Sequence, residues 1–124
     1  MTDTQDYINL KELTTGFLKG NTKGLGLVAD TGSIQGGQVL VSSFNVIDTS
    51  GTAGNAVTLP AVFNAGTIIF IKNGSATNSV DVFPALGDDL GGGANTAAAL
   101  AAQKGICYIG TVANSTWEPL ITGA

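Results

Sequence analysis

The residues of this chain best suited to chemistry are its aspartates set among glycines. Gly87-Asp88-Asp89-Leu90-Gly91-Gly92-Gly93 places two acids side by side in a glycine-rich run. Such a pair can serve a calcium ion, which takes roughly six to eight oxygens. Carbonyls and water would have to supply most of them here, so a solvated turn is the plainer expectation. Gly24-Leu25-Gly26-Leu27-Val28-Ala29 has the glycine spacing of a pyrophosphate cradle, with Asp48 near the distance at which an acid would meet a ribose. That cradle needs a strand before it and a helix after it, so that the helix N-terminus faces the phosphates. Polar Gly20-Asn21-Thr22-Lys23 precedes the glycines, and Asp30-Thr31-Gly32 would break a helix within a turn. The spacing is expected to be coincidental.

Val28-Ala29-Asp30-Thr31-Gly32-Ser33 resembles the catalytic loop of aspartic proteases. The resemblance implies a retroviral-type dimer in which Asp30 of two chains shares one proton, because close carboxylates cannot both ionise. Tyr108-Ile109-Gly110 would imitate that family's hydrophobic-hydrophobic-Gly segment. No helical pattern follows Gly110, however, and Gly36-Gly37 interrupts the stretch after the motif. Asp-Thr-Gly is also an ordinary turn sequence. Elsewhere the inventory is thin. The chain has no His and no Arg, hence no ordinary general base near neutral pH and no bidentate anion clamp. The expectation is a non-enzyme with no catalytic residues, no metal and no cofactor, acting through shape, backbone and apolar contact.

The elements that would position these residues belong to a single domain of 124 residues. Apolar residues make up 44% of it and charged ones only 11%, less than half of the roughly 25% usual in soluble domains. Its exterior is therefore expected to be Ser, Thr, Asn, Gly and Ala, or to be covered by partners. The net charge is −4, and Lys11, Lys19, Lys23, Lys72 and Lys104 are scattered. Nucleic acid is thus not an expected partner, since phosphates call for clustered cations. The acidic start lacks the basic character of a secretory signal, and no apolar run approaches the roughly 20 residues of a membrane span. Cys107, inside Gly105-Ile106-Cys107-Tyr108-Ile109-Gly110, reads as a small buried residue.

Residues 1–24 form an N-terminal arm distinct from a β-domain over 25–124. Tyr7, Leu10, Leu13 and Phe17 fall near one face of a helix. Asp3 or Thr4 would cap it and Gly20-Asn21 would stop it. These four are the candidate partner-binding residues. Either the segment lies on its own domain, or it docks on a neighbouring subunit. From Leu25 onward short strands alternate with turn residues. The expected strands are Val39–Ile47 (interrupted at Ser42-Ser43), Val57–Leu59 (stopped by Pro60), Thr67–Lys72, Val80–Phe83, Gly105–Val112 and Thr116–Ile121. Asn73-Gly74 is a strong turn signal. Thr96–Ala102 has helical propensity but β neighbours, and is assigned to a strand. The fold class is all-β, a compact β-sandwich or barrel-like domain of short strands with an N-terminal arm or short helix.

The order of features from Val57 onward is distinctive. Val57-Thr58-Leu59-Pro60-Ala61 leads to Gly66 and a strand ending at Lys72-Asn73. Asn78-Ser79-Val80-Asp81-Val82-Phe83-Pro84-Ala85 follows, then Gly87-Asp88, a Gly/Ala/Asn stretch, Leu100, a strand from Ile106, and Ser115-Thr116-Trp117. This order resembles a module of tailed-phage virion proteins, found in head decoration (cement) and fibre-like components. It covers roughly the last seventy residues. The resemblance implies a homotrimer that binds the major capsid protein at the capsid surface of the virion and stabilises the shell. It would be synthesised in the host cytoplasm. The alternative it leaves open is a tail or head-fibre component that binds host glycans.

Overall fold

The computed structural model describes residues 23–62, 65–112 and 115–120. They form eight strands: β1 (Lys23–Val28), β2 (Phe44–Thr49), β3 (Asn55–Thr58), β4 (Ile68–Asn73), β5 (Val80–Phe83), β6 (Ala98–Leu100), β7 (Gly105–Val112) and β8 (Thr116–Leu120). No helix occurs among the described residues. A five-stranded sheet runs β1-β2-β4-β7-β8 and a three-stranded sheet runs β3-β5-β6. The all-β expectation is met by two open sheets around a shared core, not by a closed barrel.

Strand directions depart from the hairpin pattern that the turn signals suggested. β1 with β2, β2 with β4, and β3 with β5 are all parallel pairs. Parallel neighbours require a crossover. β3 of the smaller sheet supplies it between β2 and β4, β4 of the larger sheet between β3 and β5, and the strand-free residues 29–43 between β1 and β2. The chain goes from β2 in the larger sheet to β3 in the smaller, back to β4, then across to β5. Phe44 thus comes to lie beside Phe70, and Asn55 beside Val80. Only the later strands pair antiparallel: β6 on β5, β7 on β4, and β8 on β7.

Local chemistry explains where the strands begin and end. The expected strand over Val39–Ile47 is divided between the sheets at Ser42-Ser43. Val39 bridges to Thr58 of β3, whereas β2 starts only at Phe44. The alanine-rich stretch contributes strand β6, as expected. Asn73-Gly74 makes a sheet change and not a hairpin. Gly74 N–H donates to the Ile47 carbonyl at 2.7 Å, and a Cβ on Gly74 would stand 3.0 Å from that same oxygen. Glycine is required there by close approach of backbone.

The core holds Ile47, Ile69, Ile71, Tyr108 and Trp117 from the larger sheet against Val57, Val80, Val82 and Leu100 from the smaller. Leu40, Leu59 and Val62 close it from the connections. Trp117 is completely buried, and a side chain of that size hides on the order of 200 Å². Burial pushes the Tyr108 phenol up to about 12, because the charged form would lose its hydration.

Candidate functional site

Each motif that could have carried chemistry is spent on local structure. Gly24–Ala29 is not a strand-turn-helix cradle but strand β1 and its exit. Gly26 has φ +68°, and the pairing with β2 is irregular between Gly24 and Val28. Asp30 opens a strap, residues 30–40, that crosses the outward side of the three-stranded sheet. Its backbone exchanges hydrogen bonds with Ala56 of β3 at 2.9 and 2.8 Å. Its carboxylate Oδ2 accepts the Gln38 N–H at 2.8 Å and so ties the two ends of the strap together.

The strap is stitched to the sheet by polar groups. Gly32 N–H donates to Asn55 Oδ1 at 3.2 Å, and Gly36 N–H to Thr58 Oγ1 at 2.9 Å. The Ser33 hydroxyl donates to the Asp81 carboxylate. Gln35 Nε2 donates to the Pro84 carbonyl at 2.8 Å and to Asn95 Oδ1 at 3.1 Å. Further on, the Asp88-Asp89 pair also serves its own loop. Asp88 is buried and its Oδ2 accepts the Val62 N–H at 3.3 Å. Asp89 Oδ1 accepts the N–H groups of Gly91 and Gly93. Among the described residues no group of three or more His, Cys, Asp or Glu side chains could hold a metal ion. Nor is any helix there long and apolar enough to cross a membrane.

Of the ten large apolar side chains exposed among the described residues, seven belong to two separate surfaces. One is the outer face of the five-stranded sheet. The registers place Lys23, Phe44, Phe70, Cys107 and Leu120 side by side in one row across all five strands. Phe44, Phe70 and Leu120 are 40%, 47% and 53% exposed. Between them lies a shallow depression of about 350 Å³, with Lys72 and Gly105 on its border and Cys107 in its lining. Burial raises the Cys107 thiol above its ordinary pKa. Half-buried Val46, Ile68 and Ile109 continue the apolar character on either side of the row.

The second surface is carried by the strap and the loop after β5. Val41 and Leu86 are each 85% exposed, Ile34 63% and Val39 47%. Val39 and Leu86 line a groove of about 380 Å³ together with Gln35, Gly36, Pro60 and Ala61. Ile34 borders an adjoining depression that shares Gln35 and Gly36. These residues were not singled out from the sequence. A signal for the first surface was present, though: Thr67-Ile68-Ile69-Phe70-Ile71-Lys72 lacks polar alternation, so both faces of β4 had to be apolar.

The sequence-derived partner-binding residues Tyr7, Leu10, Leu13 and Phe17 lie outside the described residues. Neither a protein-family model nor a characterised protein matches the chain.

Proposed function

We propose that the protein is a structural subunit of a phage virion, a homo-oligomer that decorates the capsid and holds the shell together. The observation that supports this reading is the pairing of few charges with much exposed hydrocarbon. The chain has only five Lys and nine acids, while ten large apolar side chains of the described residues are exposed. Scattered exposed leucines mean little by themselves, but contiguous apolar surface marks protein contact. Attachment to the major capsid protein is assigned to the strap surface, where Val39 and Leu86 share one groove, Ile34 lines the adjoining depression and Val41 stands exposed just beyond the strap. The threefold symmetry comes from the family resemblance, and closed symmetry satisfies such surfaces without filament growth.

A fibre component that binds glycans keeps a specific observation in its favour, because sugar platforms are aromatic and Phe44 and Phe70 are exposed side by side, although the only tryptophan, Trp117, is buried in the core. A dimeric protease draws less support, since the Asp30 carboxylate is engaged with Gln38 in its own loop. Heating capsids with and without the protein, while following genome release, tests the decoration role. Binding to the assembled shell alone stabilises it by mass action, about 2.7 kcal/mol per site at a hundredfold excess over Kd. Release at a higher temperature, with the shift largely kept at high salt, is the expected result, because apolar contacts are not screened. Equal release temperatures would exclude the role. Val41→Asp together with Leu86→Asp should weaken capsid binding by at least about tenfold, a loss of about 1.4 kcal/mol.

A further inference from the structure

We infer that the outer face of the five-stranded sheet is the seat of the chain's own N-terminal segment, with Tyr7, Leu10, Leu13 and Phe17 packed across Phe44, Phe70 and Leu120. This inference is independent of the virion reading and concerns the isolated chain.

The first argument is where the segment ends. Lys23, the first described residue, is paired with Phe44 and stands at one end of the row Lys23, Phe44, Phe70, Cys107, Leu120. Residues 1–22 therefore enter the fold at the margin of the apolar face. That row spans four strand spacings, about 19 Å. A helix over residues 7–17 is about 15 Å long, which matches the row. The six steps from Phe17 to Lys23 reach at most about 20 Å, enough to turn at Gly20-Asn21 and return over β2 and β4.

The second argument is chemical fit. The segment presents two aromatics and two leucines at helical spacing. The sheet offers two half-exposed phenylalanines, a leucine and the depression between them. The third argument is size. The apolar face measures about 19 Å by some five residues of strand, or a few hundred Å². A standard interface needs about 800 Å² per partner, so a second copy laid on this face alone would not hold. A tethered segment needs far less, because a short linker gives it an effective concentration in the millimolar range.

Cys107 reports on the arrangement, since it lines the depression that the segment would cap. The test uses the purified full-length chain without capsids. Its thiol is labelled with a small disulfide reagent at pH 8.5, and the rate is compared with that of a Leu13→Ser, Phe17→Ser double variant. The variant is expected to label at least tenfold faster, with both rates independent of protein concentration. Equal rates would overturn the inference. So would protection that grows with protein concentration, because a second copy would then be the cover. A Phe17→Cys variant provides the second measurement under mild oxidation. Disulfide to Cys107 within one chain is expected, and disulfides formed only between chains would overturn it.

Discussion

The two sheets solve the problem of their outer sides differently. All four residues of β3 are buried, because the core takes one side and the strap covers the other. In β4 only alternate residues are buried, and Phe70 sits half-exposed between Ile69 and Ile71. The small sheet is covered by chain that contributes hydrogen bonds, from Gly32, Ser33, Gln35 and Gly36 to Asn55, Asp81, Pro84 and Thr58. The large sheet has hydrocarbon on its outer side and no described element over it. The difference teaches that polar side chains in this chain also work inward. Composition led to the expectation of an exterior of Ser, Thr, Asn, Gly and Ala, or of one covered by partners. Gly, Thr and Ala do supply much of the exposed surface, but Asn45, Ser50, Asn55, Thr58, Asn73 and Ser75 are buried while large apolar side chains stand exposed.

Trp117→Ala should be the most damaging change, about 3–5 kcal/mol, read as a fall in the urea midpoint. Trp117 belongs to the larger sheet but touches the core shared by both, so a smaller loss would show that the sheets are loosely coupled. Asn73→Ala comes next. Its amide donates to the carbonyls of Asn78, Leu100 and Ala101, and its Oδ1 accepts the Ser75 N–H at 3.0 Å. Removing it leaves several buried backbone groups unpaired, at about 2–4 kcal/mol in total. If this tie between the sheets is real, amide exchange should quicken at β6 before it quickens at β1.

Alkaline titration tests the inner face of the larger sheet. The Tyr108 phenol is raised in the folded state to about 12, so its contribution is complete below the unfolded value near 10. It is lost as pH rises from there through about 12, by on the order of 2 kcal/mol. Tyr108→Phe should flatten that part of the stability curve, whereas an unchanged curve would mean that Tyr108 is not sealed in. The smallest effect is expected at the strap. Asp30→Asn keeps an oxygen for the Gln38 N–H, so stability should stay within about 0.5 kcal/mol of the parent. A larger loss would mean that the charge, and not the hydrogen bond, holds the strap down.

How much of this was legible in the sequence depended on whether the signal was local. β5 at Val80–Phe83 and β7 at Gly105–Val112 were readable because alternation and turn residues sit within each segment. The strand at Ala98–Leu100 was readable only from its β neighbours, against the helical propensity of its own alanines. Pairing was not readable. Asn73-Gly74 announces a turn, but a turn does not say whether the next strand joins the same sheet. Nor does any local feature tell Phe44 that its neighbour is Phe70. The candidate surfaces were hidden for the same reason. Phe44, Phe70 and Leu120 are far apart in sequence and become one row only through the register. Asp30 was ambiguous in the opposite direction, because a turn and a catalytic loop can share three residues.

The coiled path of the chain carries a consequence for how fast the molecule forms. None of β2, β3 and β4 pairs with the strand that follows it in sequence; β1 does pair with β2 and β5 with β6, but only across the whole strap and across residues 84–97. Each parallel contact therefore waits for an intervening crossover, and loop closure is spent before the contact rewards it. Only β7 and β8 can meet as a local hairpin, on the microsecond scale. The C-terminal hairpin is then the natural first structure, onto which β4 and its parallel partners assemble, with overall folding in the millisecond-to-second range. During translation that hairpin emerges after the six strands before it. Every earlier strand must spend its time on the ribosome without the template it will finally join.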